Sequence, residues 1–178
     1  MKYHGYTIIC KLKDTNILKG LENLIENSKT LGRYVVPTPS SSYHMTITGI
    51  DNRVIDLKSL QKLKNLCKKH ASPIEAIVKD VYFGDTPGIY LDVDHDVTIL
   101  RNLLRASVGM KEESYSYHMT FGYKFRTINP EDYDGYLDDV TKIKKYIFSI
   151  FPKFENTMKL NAAVVCEFDD MTEFKNII

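Results

Sequence analysis

The chain has no tryptophan, only three cysteines and no long apolar run, and each scarcity closes off a class of protein. Cys10, Cys67 and Cys166 are odd in number and far apart, without CxxC or CxxH spacing, so neither a disulfide framework nor a zinc site is indicated. A reducing compartment is expected. The opening Met1-Lys2-Tyr3-His4-Gly5-Tyr6 reaches polar residues again by Lys11, unlike a signal peptide, and no stretch approaches the roughly 18 apolar residues of a membrane span. The expectation is a soluble, cytoplasmic protein that engages no membrane. Excess charge is missing too: 24 Lys+Arg against 23 Asp+Glu leave +1, which argues against gripping long nucleic acid and leaves room for a small anionic ligand. With 43% hydrophobic and 26% charged residues over 178 positions, the chain is expected to fold as one domain, residues 1–178, without an obligate protein partner and as a monomer.

What is present alternates between strand and helix patterns. Tyr6 to Leu12 is β-branched and aromatic, a buried strand. Asp14 caps a helix whose apolar stripe is Ile17, Leu18, Leu21, Leu24 and Ile25, with Gly32 beyond its end. Val35 to Ser42, with two prolines and three serines, reads as a loop before an alternating strand from Tyr43 to Ile50. Asp56 caps a second helix with Leu57, Leu60, Leu63, Leu66 and Cys67 toward the core. Its lysines (Lys58, Lys62, Lys64, Lys68, Lys69) suit a solvated face better than an RNA-binding one. Ile74–Phe83 and Ile89–Val93 form a hairpin around Gly84-Asp85-Thr86-Pro87-Gly88. A helix begun by Asp94 or Asp96 carries Val97, Leu100, Leu104 and Val108 and ends near Gly109. A strand follows at Tyr117–Tyr123, then a helix from Asn129-Pro130 to about Ile150 and a last strand from Met158 to Phe168. This order predicts an α+β fold of two antiparallel sheet lobes with outer helices.

Within that order one tetrapeptide recurs. Tyr-His-Met-Thr stands at Tyr43–Thr46 and at Tyr117–Thr120, each time opening a predicted strand. Five histidines and thirteen threonines predict about 0.4 His-x-Thr by chance, so two in matching contexts are informative and suggest two lobes related by a pseudo-two-fold axis. Residues i and i+2 of a strand share a face, so His44 points with Thr46 and His118 with Thr120, while the methionines face the core. If the lobes face each other, both pairs line one groove. One imidazole there accepts a proton and the other, charged, donates one, and the two hydroxyls donate to a phosphoryl group. The scheme requires no metal and no cofactor.

These residues resemble the 2H phosphoesterases, a family with two His-x-Thr/Ser motifs in a bilobal α+β fold of pseudo-two-fold symmetry. The resemblance covers most of the chain, and the ending Cys166-Glu167-Phe168-Asp169-Asp170-Met171-Thr172 is similar to uncharacterised members. It implies metal-independent cleavage of a nucleotide phosphodiester: a 2′,3′-cyclic phosphate, a 2′-5′ or 3′-5′ linked oligonucleotide, or a cyclic oligonucleotide messenger. It further implies that His44 and His118 divide the acid and base roles, unassigned between them, and that Thr46 and Thr120 hold the phosphate. A viral-type enzyme that degrades immune messengers is the narrower form of this reading, and a non-catalytic nucleotide-binding module is its rival.

Other residues are candidates for lesser roles. Tyr123, Lys124, Tyr6 and Tyr90, near strand ends or motif edges, are candidates for contacting the base or phosphate of a nucleotide or short RNA. Tyr82 and Tyr115 belong to the same aromatic set, and Ser40-Ser41-Ser42 is a candidate gate. His4, His70 and His95 read as structural or exposed. Asp92, Asp94, His95 and Asp96 form the one rival constellation, a divalent-metal site or, more simply, a strand end with an N-cap and an acidic first turn.

Overall fold

In the computed structural model, residues 5–52, 55–152, 157–169 and 173–177 are described, and among them ten strands and four α-helices form. His4 and residues 170–172 of the chain's ending lie outside them. The strands are β1 (Gly5–Lys11), β2 (Val35–Pro37), β3 (His44–Ile50), β4 (Ile74–Tyr82), β5 (Gly88–Val93), β6 (Tyr117–Thr120), β7 (Gly122–Lys124), β8 (Thr157–Leu160), β9 (Val164–Phe168) and β10 (Lys175–Asn176). The helices are α1 (Lys19–Glu26), α2 (Leu57–Lys69), α3 (His95–Ser107) and α4 (Tyr133–Ile150). None is long and apolar enough to cross a membrane.

Eight strands join in one antiparallel sheet, ordered β10-β9-β1-β3-β6-β5-β4-β8. Its two four-stranded halves are the expected lobes, and they meet through a single registered pair, Met45 with Met119. At the other end the sheet curls until β8 reaches the end of β1: Leu12 bridges Leu160, and Lys13 N–H donates to the Lys159 carbonyl at 3.0 Å. One face carries the main core, including Ile8, Cys10, Met45, Ile47, Ile89, Met119 and Leu160, under helices packed in the pairs α1 with α4 and α2 with α3. Alternation puts the motif histidines on the opposite face. A smaller cluster of Ile9, Cys166 and Phe174 lies apart from that core.

The capping signals work as expected at two helices. Asp56 accepts the Ser59 N–H at 2.7 Å and Asp94 accepts the Asp96 N–H at 3.0 Å, each filling a donor the first turn leaves unpaired. Gly109 follows α3 at φ +73°, the left-handed position that ends a helix and that favours a residue without Cβ. Asp139, buried on α4, accepts the N–H groups of Thr30 at 2.9 Å and Leu31 at 3.2 Å and so ties that helix to the turn after α1.

Several expectations need correction. Asp14 caps a short 3-10 turn, Thr15–Leu18, and α1 starts only at Lys19. Val35–Pro37 is a strand, because Phe121 interrupts the run after the second motif and frees β7 to pair with it in a separate two-stranded sheet. The stretch from Met158 to Phe168 is two strands in opposite halves of the large sheet. Leu57, expected in the core, is exposed at the first turn of α2, whose Leu63 and Cys67 are buried.

Candidate functional site

The pairing of Met45 with Met119 determines what surrounds it. The strands are antiparallel, so continuing this register by one residue either way sets His44 against Thr120 and Thr46 against His118. The two histidines are therefore diagonal neighbours, a placement that puts Cβ atoms somewhat closer than about 7–8 Å. Each hydroxyl belongs to one motif and faces the histidine of the other.

Both rings are held in the same way. His44 Nδ1 lies 2.7 Å from the Ser42 carbonyl, and His118 Nδ1 lies 3.2 Å from the Ser116 carbonyl, in each case two residues upstream. A carbonyl only accepts, so each Nδ1 carries the proton and Nε2 is left as the atom that exchanges one. The repeat is thus one residue longer than Tyr-His-Met-Thr: Ser-Tyr-His-Met-Thr occurs at Ser42–Thr46 and Ser116–Thr120. The serine residues supply backbone carbonyls, and composition alone gave no sign of that use.

The surroundings then diverge. The His44 ring lies 4.2 Å from that of Phe174, and Lys11, paired across from His44 on β1, donates its Nζ to the Phe174 carbonyl at 3.1 Å. Burial holds the His44 pKa below its ordinary 6.5; the Ser42 bond opposes this, while the charges of Lys11 and His118 add to it. That coupling also places the two imidazoles within electrostatic reach of one another. His118 instead has Tyr82 at 6.2 Å and Tyr115 at 6.5 Å, ring to ring.

Tyr82, placed only loosely by the sequence, proves to be a neighbour of the second motif. Its hydroxyl bonds the side chains of Thr120 and Thr86, and its ring stacks on Tyr90 at 4.3 Å. The ring passes over Gly88, where a Cβ would stand 2.6 Å from the Tyr82 hydroxyl, so the bare backbone there is what lets the phenol reach Thr120. Arg101, a buried cation that the helix pattern did not single out, lies 5.0 Å from the Tyr115 ring centre and 4.4 Å from that of Tyr117 and donates to the Tyr115 carbonyl at 3.2 Å. It thereby fixes the backbone beside the Ser116 carbonyl that orients His118.

The remaining candidates fall at different places. Tyr90 pairs directly across from His118. Tyr6 lines a cavity of about 400 Å³ that opens beside Thr46 and is bounded also by Arg105, Glu113, Phe168 and Phe174. Tyr123 lies near Tyr82, but in the small sheet. Lys124 is held by Asp85 at 2.8 Å, and this pairing keeps the Asp85 carboxyl below the usual carboxylate range. Ser40–Ser42 forms a 3-10 turn whose last carbonyl serves His44. Asp94 is occupied as an N-cap, and no group of three His, Cys, Asp or Glu suited to a metal occurs among the described residues.

Comparison with known proteins places this arrangement. No family model matches the chain. Uncharacterized protein 127L of Invertebrate iridescent virus 6 is 22% identical over 197 residues, covering 90% of this chain and 82% of that protein. Among solved structures, the conserved protein of unknown function ATU0111 from Agrobacterium tumefaciens superposes with a TM-score of 0.75 at 16% identity, over 100% of this chain and 86% of its own. A crystal structure described as a phosphoesterase gives 0.64 at 12% identity, over 99% and 96%. E. coli LigT complexed with 3′-AMP gives 0.61 at 12%, over 98% and 95%. The chain therefore shares the α+β fold of LigT and of that phosphoesterase.

Proposed function

We propose that the chain is a phosphodiesterase that cleaves a nucleotide phosphodiester by paired-histidine acid–base catalysis, without a metal ion. The observation that carries this reading is the mirrored tethering of His44 and His118 through Nδ1 on either side of the Met45–Met119 pair. Two imidazoles with the same tautomer, each facing a threonine hydroxyl, suit a reaction in which one proton is removed and another delivered across a single phosphorus. The likeness to LigT, whose crystals hold phosphate, ATP and 3′-AMP, supports a nucleotide substrate.

The environments favour a division of labour. His44, kept neutral by burial and by Lys11, removes the proton from water or a ribose 2′-hydroxyl. That oxygen bonds to phosphorus, the opposite P–O bond breaks, and His118 as imidazolium protonates the departing oxygen. Thr46 and Thr120 donate to the non-bridging oxygens, where charge grows in the transition state. A cyclic or 2′-5′ linked messenger as substrate is the narrower form of the reading.

A panel of 2′,3′-cyclic mononucleotides, 2′-5′ oligoadenylate, cyclic di- and trinucleotides and short RNA, with products resolved by mass, tests the proposal. His44→Ala or His118→Ala should lower turnover by about 10²–10⁴ with the fold intact, and EDTA should leave it unchanged. Turnover that survives the double replacement overturns the reading. Tight binding without turnover between about pH 5 and 8 would instead identify a binding module.

A further inference from the structure

The two halves repeat their histidines but not the residues beside them. Across from His44 stands Lys11 of β1, and across from His118 stands Tyr90 of β5. Paired residues share a face, so a cation occupies in one half the position that an aromatic ring occupies in the other. The pseudo-symmetry of the motifs is thereby broken at their nearest neighbours.

Each end has the form its chemistry needs. An ammonium has three N–H bonds, and the Phe174 carbonyl takes one from Lys11 while fixing where the charge sits. The cavity of about 400 Å³ next to Thr46, with Arg105 on its wall, shares Phe174 with this end, although Lys11 itself does not border it. At the other end the Tyr90 ring, stacked on Tyr82 and 38% exposed, offers a flat surface of the kind on which bases stack. Tyr115, lying against His118, adds a second ring there.

We propose that the groove is directional: a nucleobase stacks at the Tyr90 end beside His118, and Lys11, beside His44, takes a second phosphate lying beyond the scissile one. The substrate class is then an oligonucleotide that carries a terminal phosphate, not a cyclic mononucleotide. The placement of the scissile group between the histidines rests on the phosphodiesterase reading; the directionality rests on Lys11 and Tyr90.

Adenylyl dinucleotides in 3′-5′ and 2′-5′ linkage, each with and without a terminal phosphate at either end, separate the two. Their affinities are measured by calorimetry on His118→Ala and on its combinations with Lys11 and Tyr90 variants, and their turnover on the otherwise native chain. For one linkage and one end, the terminal phosphate should raise affinity about tenfold, the size of one charge-assisted hydrogen bond. Lys11→Met should erase that ratio and Lys11→Arg keep it, which separates loss of charge from loss of fold. Tyr90→Ala should weaken phosphorylated and unphosphorylated dimers alike, by about tenfold or more. Equal affinities with and without the phosphate, a ratio that survives Lys11→Met, or no effect of Tyr90→Ala overturns the proposal. Absence of turnover with the ratio intact would overturn only the phosphodiesterase reading.

Discussion

Met45 lies directly across from Met119, both side chains are fully buried, and theirs is the one registered pair between β3 and β6. The polar residues of both motifs are arranged about an apolar contact. Met45→Ala or Met119→Ala should therefore lower stability by about 2–5 kcal/mol and reduce turnover even though neither methionine touches substrate. Met→Leu at either place, close in volume, should cost less than about 1.5 kcal/mol and keep activity. Thermal melts with rates on the same samples check both.

The pH dependence should follow His44. Its pKa is held below 6.5 by burial, so the acid limb of kcat/KM should fall below that value. Phe174→Ala opens the ring to water and should move the limb up toward 6.5, while Phe174→Leu should move it less. A limb that stays put in Phe174→Ala would remove burial by this ring as the cause. Stability carries the same sign: below 6.5 the unfolded chain takes up a proton that folded His44 resists. His44's contribution is thus complete above 6.5 and declines as pH falls toward its folded pKa.

Gly88 and Tyr82 should separate stability from activity. A Cβ at Gly88 would meet the Tyr82 hydroxyl at 2.6 Å and, less forgivingly, the Met119 backbone carbonyl at 2.7 Å. Gly88→Ala should cost about 1–3 kcal/mol in a denaturant titration. Tyr82→Phe removes only the hydroxyl that bonds Thr120, and should lower kcat several-fold with little change in the midpoint. Equal stability losses in the two variants would refute this division.

Much of the fold was legible because its signals are local. The alternation at Tyr43–Ile50, the Gly-Pro turn of the hairpin and the caps Asp56 and Asp94 each act within a few residues. The His-x-Thr repeat was legible for the same reason, with both its spacing and its strand setting contained in five residues. The missed features depend on partners distant in sequence. Val35–Pro37 becomes a strand only because Gly122–Lys124 comes to lie beside it, through a break at Phe121 whose N–H goes to the Pro87 carbonyl. Lys11, Phe174 and Tyr82 are neighbours of the motifs by sheet order and register, which no periodicity within one strand encodes. Arg101 is not one of the apolar residues that mark its helix, and its burial between two tyrosines follows from where the loop before β6 lies.

The ring that covers His44 belongs to the short segment just before β10, which pairs with the edge of β9. Burial of His44 is therefore completed by a ring from the far end of the sheet order, not by the strand that carries the motif. The first motif thus depends for its burial on a strand far from it in sequence, and loosening β10 from β9 should return the His44 ring to water.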